Sequence, residues 1–576
     1  GVFDENGALL FDFTESDGRA TRSIAKMPDG RVSVLQMVMT MENAGASPVI
    51  KIIDADNKKY ADEVLYLDFG TSNWGEIFFV TGYEGYDLLR CEITVIYGVC
   101  HDTGDLEVLA KYDKNYTFPD IHKYAVISSG NILKLDHSST RAISVMKYTK
   151  TDAPIHTDKT KLVLGVFFST EMINRTVSDF NKINPDYEIE IKEYMGERGV
   201  DFIGALDAYN LDLITGNIPD ITSIHIVASM PLQSYFDKGV FVDLYELFDA
   251  DPDIGREDFV DSVLKALETD GKLYTMAPSF EITTLIGKKS VVGADMGWTW
   301  DEFFALLDKN PEAIPISISR ESFTSEWFVS NIIENTSDTF INTSAGTCDF
   351  QSDIFTKLLE YGKRYPREIG NNDFITANDF LSGDRLLLLE NFKRLDYFHA
   401  TKLQTYFGEE ITYKGFPTLD GSNGSSFYLY HRFGISSNSE HREGAWEYIK
   451  YLLTDYQYME SFNNTWAIRD FPVRKDVLNS VIESDFALGV GVNSDDNFPV
   501  NIEGAGMVNT IFPSEADVEK LYALINSIDK ISRTDHLAVS WIINEELPSY
   551  FDGQRTAEQV AAIIQNRAGI YMAEIS

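Results

Sequence analysis

The chain has 576 residues, of which 44% are hydrophobic and 24% charged, a balance that excludes a disordered tail or a fibrous repeat. No apolar run approaches the roughly 20 residues that a membrane-spanning helix needs. Lys and Arg number 49 against 90 Asp and Glu, a net charge of −41 that repels phosphate backbones and anionic lipid and so excludes general nucleic-acid binding.

Residues 1–150 read as short strands. Val2-Phe3 and Ala8 to Phe11 flank a turn ending in Asn6-Gly7, a hairpin signal. Met27-Pro-Asp-Gly30 leads into an alternating run from Arg31. Further strands are expected at Val49 to Ile53, Val64 to Leu67, Glu92 to Tyr97, Leu106 to Ala110 and Tyr124 to Ile127. Pro28-Asp-Gly-Arg-Val-Ser-Val-Leu is echoed about 100 positions later by Ser128-Ser-Gly-Asn-Ile-Leu-Lys-Leu, an offset of two propeller-blade periods. The segment therefore resembles β-propeller blades, with room for about three where a closed ring takes at least four. Either the chain begins partway through a propeller, which Gly1 directly before a strand favours, or this is an open β-domain; a plain β-sandwich is the third reading. Cys91 and Cys100 can pair if their strands adjoin, although free cysteines more often fill core space. Asp54-Ala-Asp56-Asn57 opens like a calcium loop, but Lys58-Lys59 stand where a ligand or glycine belongs, so no metal is expected.

Residues 151–160 are polar, carry Pro154, and read as a linker. From Lys161 strands and helices alternate. Leu162 to Phe168 is a continuous apolar run, as in a buried parallel strand. Ile173, Val177, Phe180 and Ile183 fall at helical spacing until Pro185 stops them. Tyr187, Ile189 and Ile191 alternate, residues 200–214 form a helix ending at Gly216, and Asp220 to Ile226 is a third strand. This is α/β with an open, mainly parallel sheet, whose ligands sit at the carboxyl ends of strands. Thr299 and Glu302 are spaced as a capping box. Residues 440–453, 515–528, 535–547 and 555–572 read as helices, and the length from 161 to 576 calls for two lobes.

Six motifs in order now carry a resemblance. They are Phe180-Asn-Lys-Ile-Asn-Pro-Asp, Gly216-Asn-Ile-Pro-Asp220 with Lys238-Gly-Val-Phe-Val-Asp-Leu244, Asp270-Gly-Lys-Leu-Tyr274 before Pro278, Trp298-Thr-Trp-Asp-Glu-Phe303, Gly434-Ile-Ser-Ser with Glu443-Gly-Ala-Trp446, and Phe471-Pro-Val-Arg-Lys-Asp476. Over almost all of 161–576 the chain resembles the extracellular solute-binding proteins of ABC importers, of the two-lobed carbohydrate type. One departure is Ile286-Gly-Lys-Lys where the family often has Tyr-Asn-Lys. The propeller-like front resembles a variant in some Gram-positive versions of the family.

The resemblance implies a type II periplasmic-binding-protein-like fold behind an all-β front. Lobe 1 is expected to span 161–279, lobe 2 280–415, a return into lobe 1 416–485, and C-terminal helices, largely of lobe 2, 486–576. It further implies a monomer that captures an oligosaccharide by hinge closure and delivers it to membrane permease subunits, with no cofactor. The place implied is the outer face of the cytoplasmic membrane of a Gram-positive bacterium, tethered by a lipid anchor not in this chain.

Enzyme signatures fail in turn: there is no His-x-x-x-His, no Gly-x-Ser-x-Gly and no phosphate-binding Gly-rich loop. Only a glycosidase carboxylate pair escapes a sequence test, because its criterion is a distance. A sugar cleft needs flat rings for sugar faces and fixed polar groups for hydroxyls. Candidates at strand ends are Ser169, Thr170, Glu171, His225, Ser279, Phe280 and Glu281. In the second lobe and the return they are Phe323, Trp327, Glu390, Asn391, Phe392, Tyr428, Tyr430, His431, Arg432 and Trp466. Trp300 and Trp446, in helical patterns, are assigned to the core. The rival readings are a peptide or cationic solute on the same fold, and behind it a glycoside-active enzyme.

Overall fold

A computed structural model describes residues 2–3, 9–11, 20–40, 45–54, 57, 59–65, 78–82, 85–91, 95–100, 106–111, 124–128, 131–137, 143–149, 158–195, 202–225, 232–318, 323–343, 345–367, 376–456, 470–489, 498–532 and 537–575. By their contacts these fall into two units, 1–161 with 169–191, and 162–168 with 192–576.

The first unit is mostly antiparallel. Val2–Phe3 pairs with Leu9–Phe11, the expected hairpin. Ala20–Lys26, Val32–Thr40, Gly45–Asp54 and Lys59–Leu65 form a four-stranded meander in chain order. Phe78–Thr81, Leu88–Cys91, Val95–Val99 and Leu106–Lys111 form a second, and Tyr124–Ser128, Asn131–His137 and Ile143–Thr149 a three-stranded third. The echoed motif falls on the first hairpin of the first and third sheets, with Gly30 supplying the left-handed turn at φ 92°. Ala25, Met27, Ile50 and Ile52 of the first sheet pack with Leu88 and Val99 of the second. Cys91 and Cys100 are both free, and burial pushes the Cys91 thiol up to about 12.

The helix Glu171–Ile183 and the strand Tyr187–Glu193 show what the motif around Asn181 does. Buried Asn181 closes both backbone bonds of Ile189: its Nδ2 donates to the carbonyl at 2.9 Å and its Oδ1 accepts the N–H at 2.7 Å. Asn184 Oδ1 then accepts the N–H groups of Asp186 and Tyr187, forming the turn before the strand.

The second unit holds two sheets. In the first lobe Leu164–Val166 lie parallel to Ile221–Ser223, and Ile221–His225 pairs antiparallel with His431–Ile435. Asp220 fixes this sheet, taking the Val163 N–H at 2.8 Å and the Ser439 hydroxyl at 2.6 Å. Pro219 lies over Gly165, where a Cβ would stand 2.5 Å from the proline ring. Phe167, Tyr209, Ile224 and Tyr235 are among the core residues beneath, with the Tyr209 hydroxyl donating to Ser223 O at 2.8 Å.

The second lobe is built on Ser279–Lys288, flanked by Arg385–Phe392 and Ile411–Tyr413, with Ile314–Ser317 outside Arg385–Phe392. Its core takes Phe303, Phe328 and Leu358 together with Val539, Ile543, Val560 and Ile564 of the helices Leu537–Phe551 and Ala557–Ile575. The chain's last helices therefore complete this lobe. Thr299 and Glu302 make the expected capping box at Trp300–Lys309. Trp300 and Trp446 are both buried, the latter donating to Asp251 at 2.8 Å.

Candidate functional site

Three stretches of chain pass between the two sheets, and they meet. In the first, Met276 exchanges backbone hydrogen bonds with Phe433 of the first-lobe sheet at 2.9 and 2.8 Å. Three residues later Ser279 begins the central strand of the second lobe. In the second, Ser426–Tyr428 pairs with Thr283–Glu281 of that strand before His431–Ile435 rejoins the first lobe. In the third, Phe471 and Pro472 pair with Phe280 and Ser279, and Val473 O then takes the N–H of Val260.

Glu281 lies at this meeting point, 4% exposed, directly opposite Tyr428. Its carboxylate is 2.6 Å from Lys393 Nζ, which also lies 3.7 Å from Asp470, the residue before the third crossing. Burial, reinforced by the charge of Asp470, pushes Glu281 up to about 7 despite the lysine. Burial also raises Asp470, against the pull of Lys393 and a hydrogen bond from Ser279. Burial pulls Lys393 down, but its bond to Glu281 and the two negative charges outweigh that and lift it. Burial pushes the half-buried Tyr428 phenol up to about 12, helped by the charges of Glu281, Tyr430, Asp470 and Glu334. Tyr430 is 40% exposed and meets His431 edge-on at 4.8 Å.

The structure brings together Ser279, Glu281, Tyr428 and Tyr430 of the expected set. His431 is buried, its Nδ1 3.4 Å from Ser223 Oγ, and Arg432 is half-buried opposite Ile224. His225 ends its strand in register with His431. Ser169, Thr170 and Glu171 belong to the first unit; Thr170 caps the helix Glu171–Ile183 by accepting the Ile173 N–H.

Three rings expected to face a sugar are committed to protein. Phe280 is buried against Phe427 and Phe471. Phe392 is buried against His399, Tyr413 and Phe471. Phe323 is buried among Trp327, Phe328 and Tyr365, while Trp327 keeps part of its surface. Phe280 stands near the start of its strand, Phe392 closes its own and Phe323 precedes the helix Ser325–Asn335, yet all three face core, so a place beside the end of an element does not ensure an open face. Glu390 is paired with Lys402 at 2.6 Å, and exposed Asn391 accepts the Thr283 hydroxyl at 3.0 Å. Trp466 lies outside the described residues.

Sequence reasoning missed Lys393 and Asp470, although each is next to a quoted motif: Lys393 follows Asn391-Phe392 and Asp470 precedes Phe471-Pro472. It also missed Trp541, 47% exposed on Leu537–Phe551. The chain leading to that helix lies on the second crossing, where Phe427 donates to Lys530 O and accepts from Ser532.

Two sheet-and-helix lobes joined by three crossings are the layout of a type II two-lobed binding-protein fold. The sequence profile described as bacterial extracellular solute-binding protein matches residues 176–489, and the chain belongs to that family. No curated protein matches in sequence. Among solved structures, the chain is similar to the sugar-binding protein MalE of Xanthomonas citri at 14% identity and a TM-score of 0.45, covering 72% of this chain and 98% of that one. It is similar to the ABC substrate-binding protein Lmo0181 of Listeria monocytogenes, in complex with cycloalternan, at 15% identity and 0.41, covering 72% and 100%. The cyclic alpha-maltosyl-1,6-maltose binding protein of Arthrobacter globiformis gives 14% and 0.42, covering 72% and 100%. Among the described residues no helix is long and apolar enough to cross a membrane.

Proposed function

We propose that this chain is the extracellular capture subunit of an ABC importer and that its cargo is a carbohydrate, an oligosaccharide in preference to a single sugar. The observation that carries this is the pairing of partly open tyrosines, Tyr428 and Tyr430, with the partly exposed hydrogen-bonding groups Ser279 and Asp470 at one junction. Rings offer faces to sugar C–H surfaces while carboxylates and hydroxyls take the sugar hydroxyls. Trp327 and Trp541 of the second lobe extend the apolar supply toward further sugar units. His225, Arg432 and Asn391 are the next polar contributors. In this reading the protein catalyses nothing; the lobes close over the ligand by bending at the three crossings, and the closed form is the one the permease subunits accept.

The lobe boundaries given by the motifs are part of this reading, as are a lipid tether and a monomeric working form. The consecutive antiparallel meanders support the propeller-blade reading of the front, and residues 1–150 are proposed as an accessory docking or spacer domain.

A thermal-shift screen of mono- and oligosaccharides, followed by calorimetry on hits, tests the cargo. Ligand at ~100 times its dissociation constant should stabilise the fold by about 2.7 kcal/mol. A shift only with peptides or polyamines would keep the fold and replace the substrate.

A further inference from the structure

The helix Ser325–Asn335 of the second lobe lies beside the junction. It follows the strand Ile314–Ser317, which runs parallel to Arg385–Phe392, so both strands bring their carboxyl ends to the side where Lys393 meets Glu281. That is the side on which open α/β sheets hold ligands. The far end of the helix comes to the same place, because the charge of Glu334 reaches Tyr428 on the second crossing. Leu537–Phe551 runs antiparallel to this helix. Arg367 clamps the pair at one end, meeting Glu326 at 2.7 Å and Asp552 at 2.9 Å, with its guanidinium over the Phe551 ring. Ser330 donates to Asn544 midway, and at the other end Asp338 pairs with Lys530. Phe328, Val329, Ile332 and Ile333 turn into the core, as do Val539, Ile543 and Leu547. The helical repeat then leaves Trp327, Ser330, Asn331 and Glu334 on one outer stripe, joined through Asn544 to exposed Trp541.

We propose that this stripe measures the cargo: a linear oligosaccharide of about three units, stopped at its far end by the Arg367–Glu326–Asp552 bridge. From Trp327 to Glu334 the helix rises about 10 Å, roughly two sugar rings end to end. Tyr428 and Tyr430 offer the place of one more at the junction. The unit at the junction meets these tyrosines, the next meets Glu334 and Trp541, and the last meets Trp327. Both ends are closed. At the junction stand the crossings, with Tyr428 directly opposite Glu281. At the other end the bridge begins at Glu326, the residue before Trp327. A longer chain has to separate Arg367 from both carboxylates to pass. The inference rests on the carbohydrate reading of the proposed function and adds a length to it.

The test is calorimetry of the whole chain with linear α-1,4-, β-1,4- and β-1,3-linked glucose oligomers of one to six units, and with the same lengths of any other class the screen returns. Affinity should rise with each unit up to about three and fall at least tenfold by the hexamer. Arg367→Ala, which removes the bridge, should raise hexamer affinity about tenfold relative to the trimer. Trp327→Ala should erase the gain from two units to three. Thermal melting establishes that both variants fold. A hexamer bound as tightly as the trimer by the parent chain, or an unchanged length profile in folded Arg367→Ala, would overturn the proposal. If no carbohydrate of any class binds, the carbohydrate reading falls and takes this inference with it; binding without a length limit removes this inference alone.

Discussion

Arg394 grips Asp485 with both prongs of its guanidinium: Nη2 bonds Oδ1 at 2.7 Å and Nε bonds Oδ2. Asp485 is 3% exposed, on the helix Lys475–Gly489, and Arg394 follows the second-lobe strand Arg385–Phe392. The same helix reaches the first lobe at its other end, where Lys475 pairs with Asp261. Replacing Arg394 by Met removes a bidentate ion pair from a buried carboxylate, which costs about 3–5 kcal/mol. Denaturant unfolding measures it; a loss below 1 kcal/mol would mean that water reaches Asp485.

Glu281 makes stability depend on pH in a defined direction. Its folded pKa of about 7 lies above the ordinary 4.5, so between those values the folded chain holds a proton that the unfolded chain has released. Its contribution to stability is therefore fully present below about 4.5 and lost as pH rises through about 7. At about 1.4 kcal/mol per tenfold change in proton affinity, the loss is about 3 kcal/mol. Unfolding of the parent and of Glu281→Gln across pH 5–8.5 should converge at the acid end, after allowing for a constant offset. Parallel curves would falsify the assignment.

Tyr430 and Trp541 are exposed, so their truncation should spare the fold and strike the ligand. Tyr430→Ala and Trp541→Ala should each weaken sugar binding by about tenfold, a stacking contribution of about 1.4 kcal/mol, with the melting temperature nearly unchanged. Calorimetry against the best sugar from the screen reads the first quantity and thermal melting the second. Full affinity in both variants would move the stacking surface elsewhere.

Gly424 precedes the second crossing, and a Cβ there would stand 2.1 Å from the carbonyl oxygen of Phe416. Backbone rather than a pliable side chain occupies the space. Gly424→Ala should cost about 2–3 kcal/mol and lower the melting temperature, because the loop must shift to admit the methyl group.

The motifs that made the family legible are those that hold backbone. Asn181 clamps Ile189, Asp220 ties Val163 to Ser439, and Asp270 with Gly271 makes a left-handed turn at φ 52° and 74°. Such roles demand one residue type at one spacing, so a sequence displays them. The site is different in kind. Lys393 and Asp470 meet Glu281 only because three distant segments converge, and no local pattern announces that. Phe280 and Phe392 lie at the ends of their strands and Tyr430 just before one, yet of the three only Tyr430 keeps an open face, because ring exposure depends on what the opposite segment brings.

The pairing of Ile221–His225 with His431–Ile435 also sets a timetable. Ser223 and His431 lie 208 positions apart in the chain. One side of the earlier strand waits unpaired until the strands of the second lobe have been synthesised, and closing so long a loop is slow. Through that interval the strand is open to a wrong neighbour. The first lobe is finished only after most of the second exists, so the two mature together as the chain is made, and a truncated product ending before residue 431 should present an unfinished first lobe.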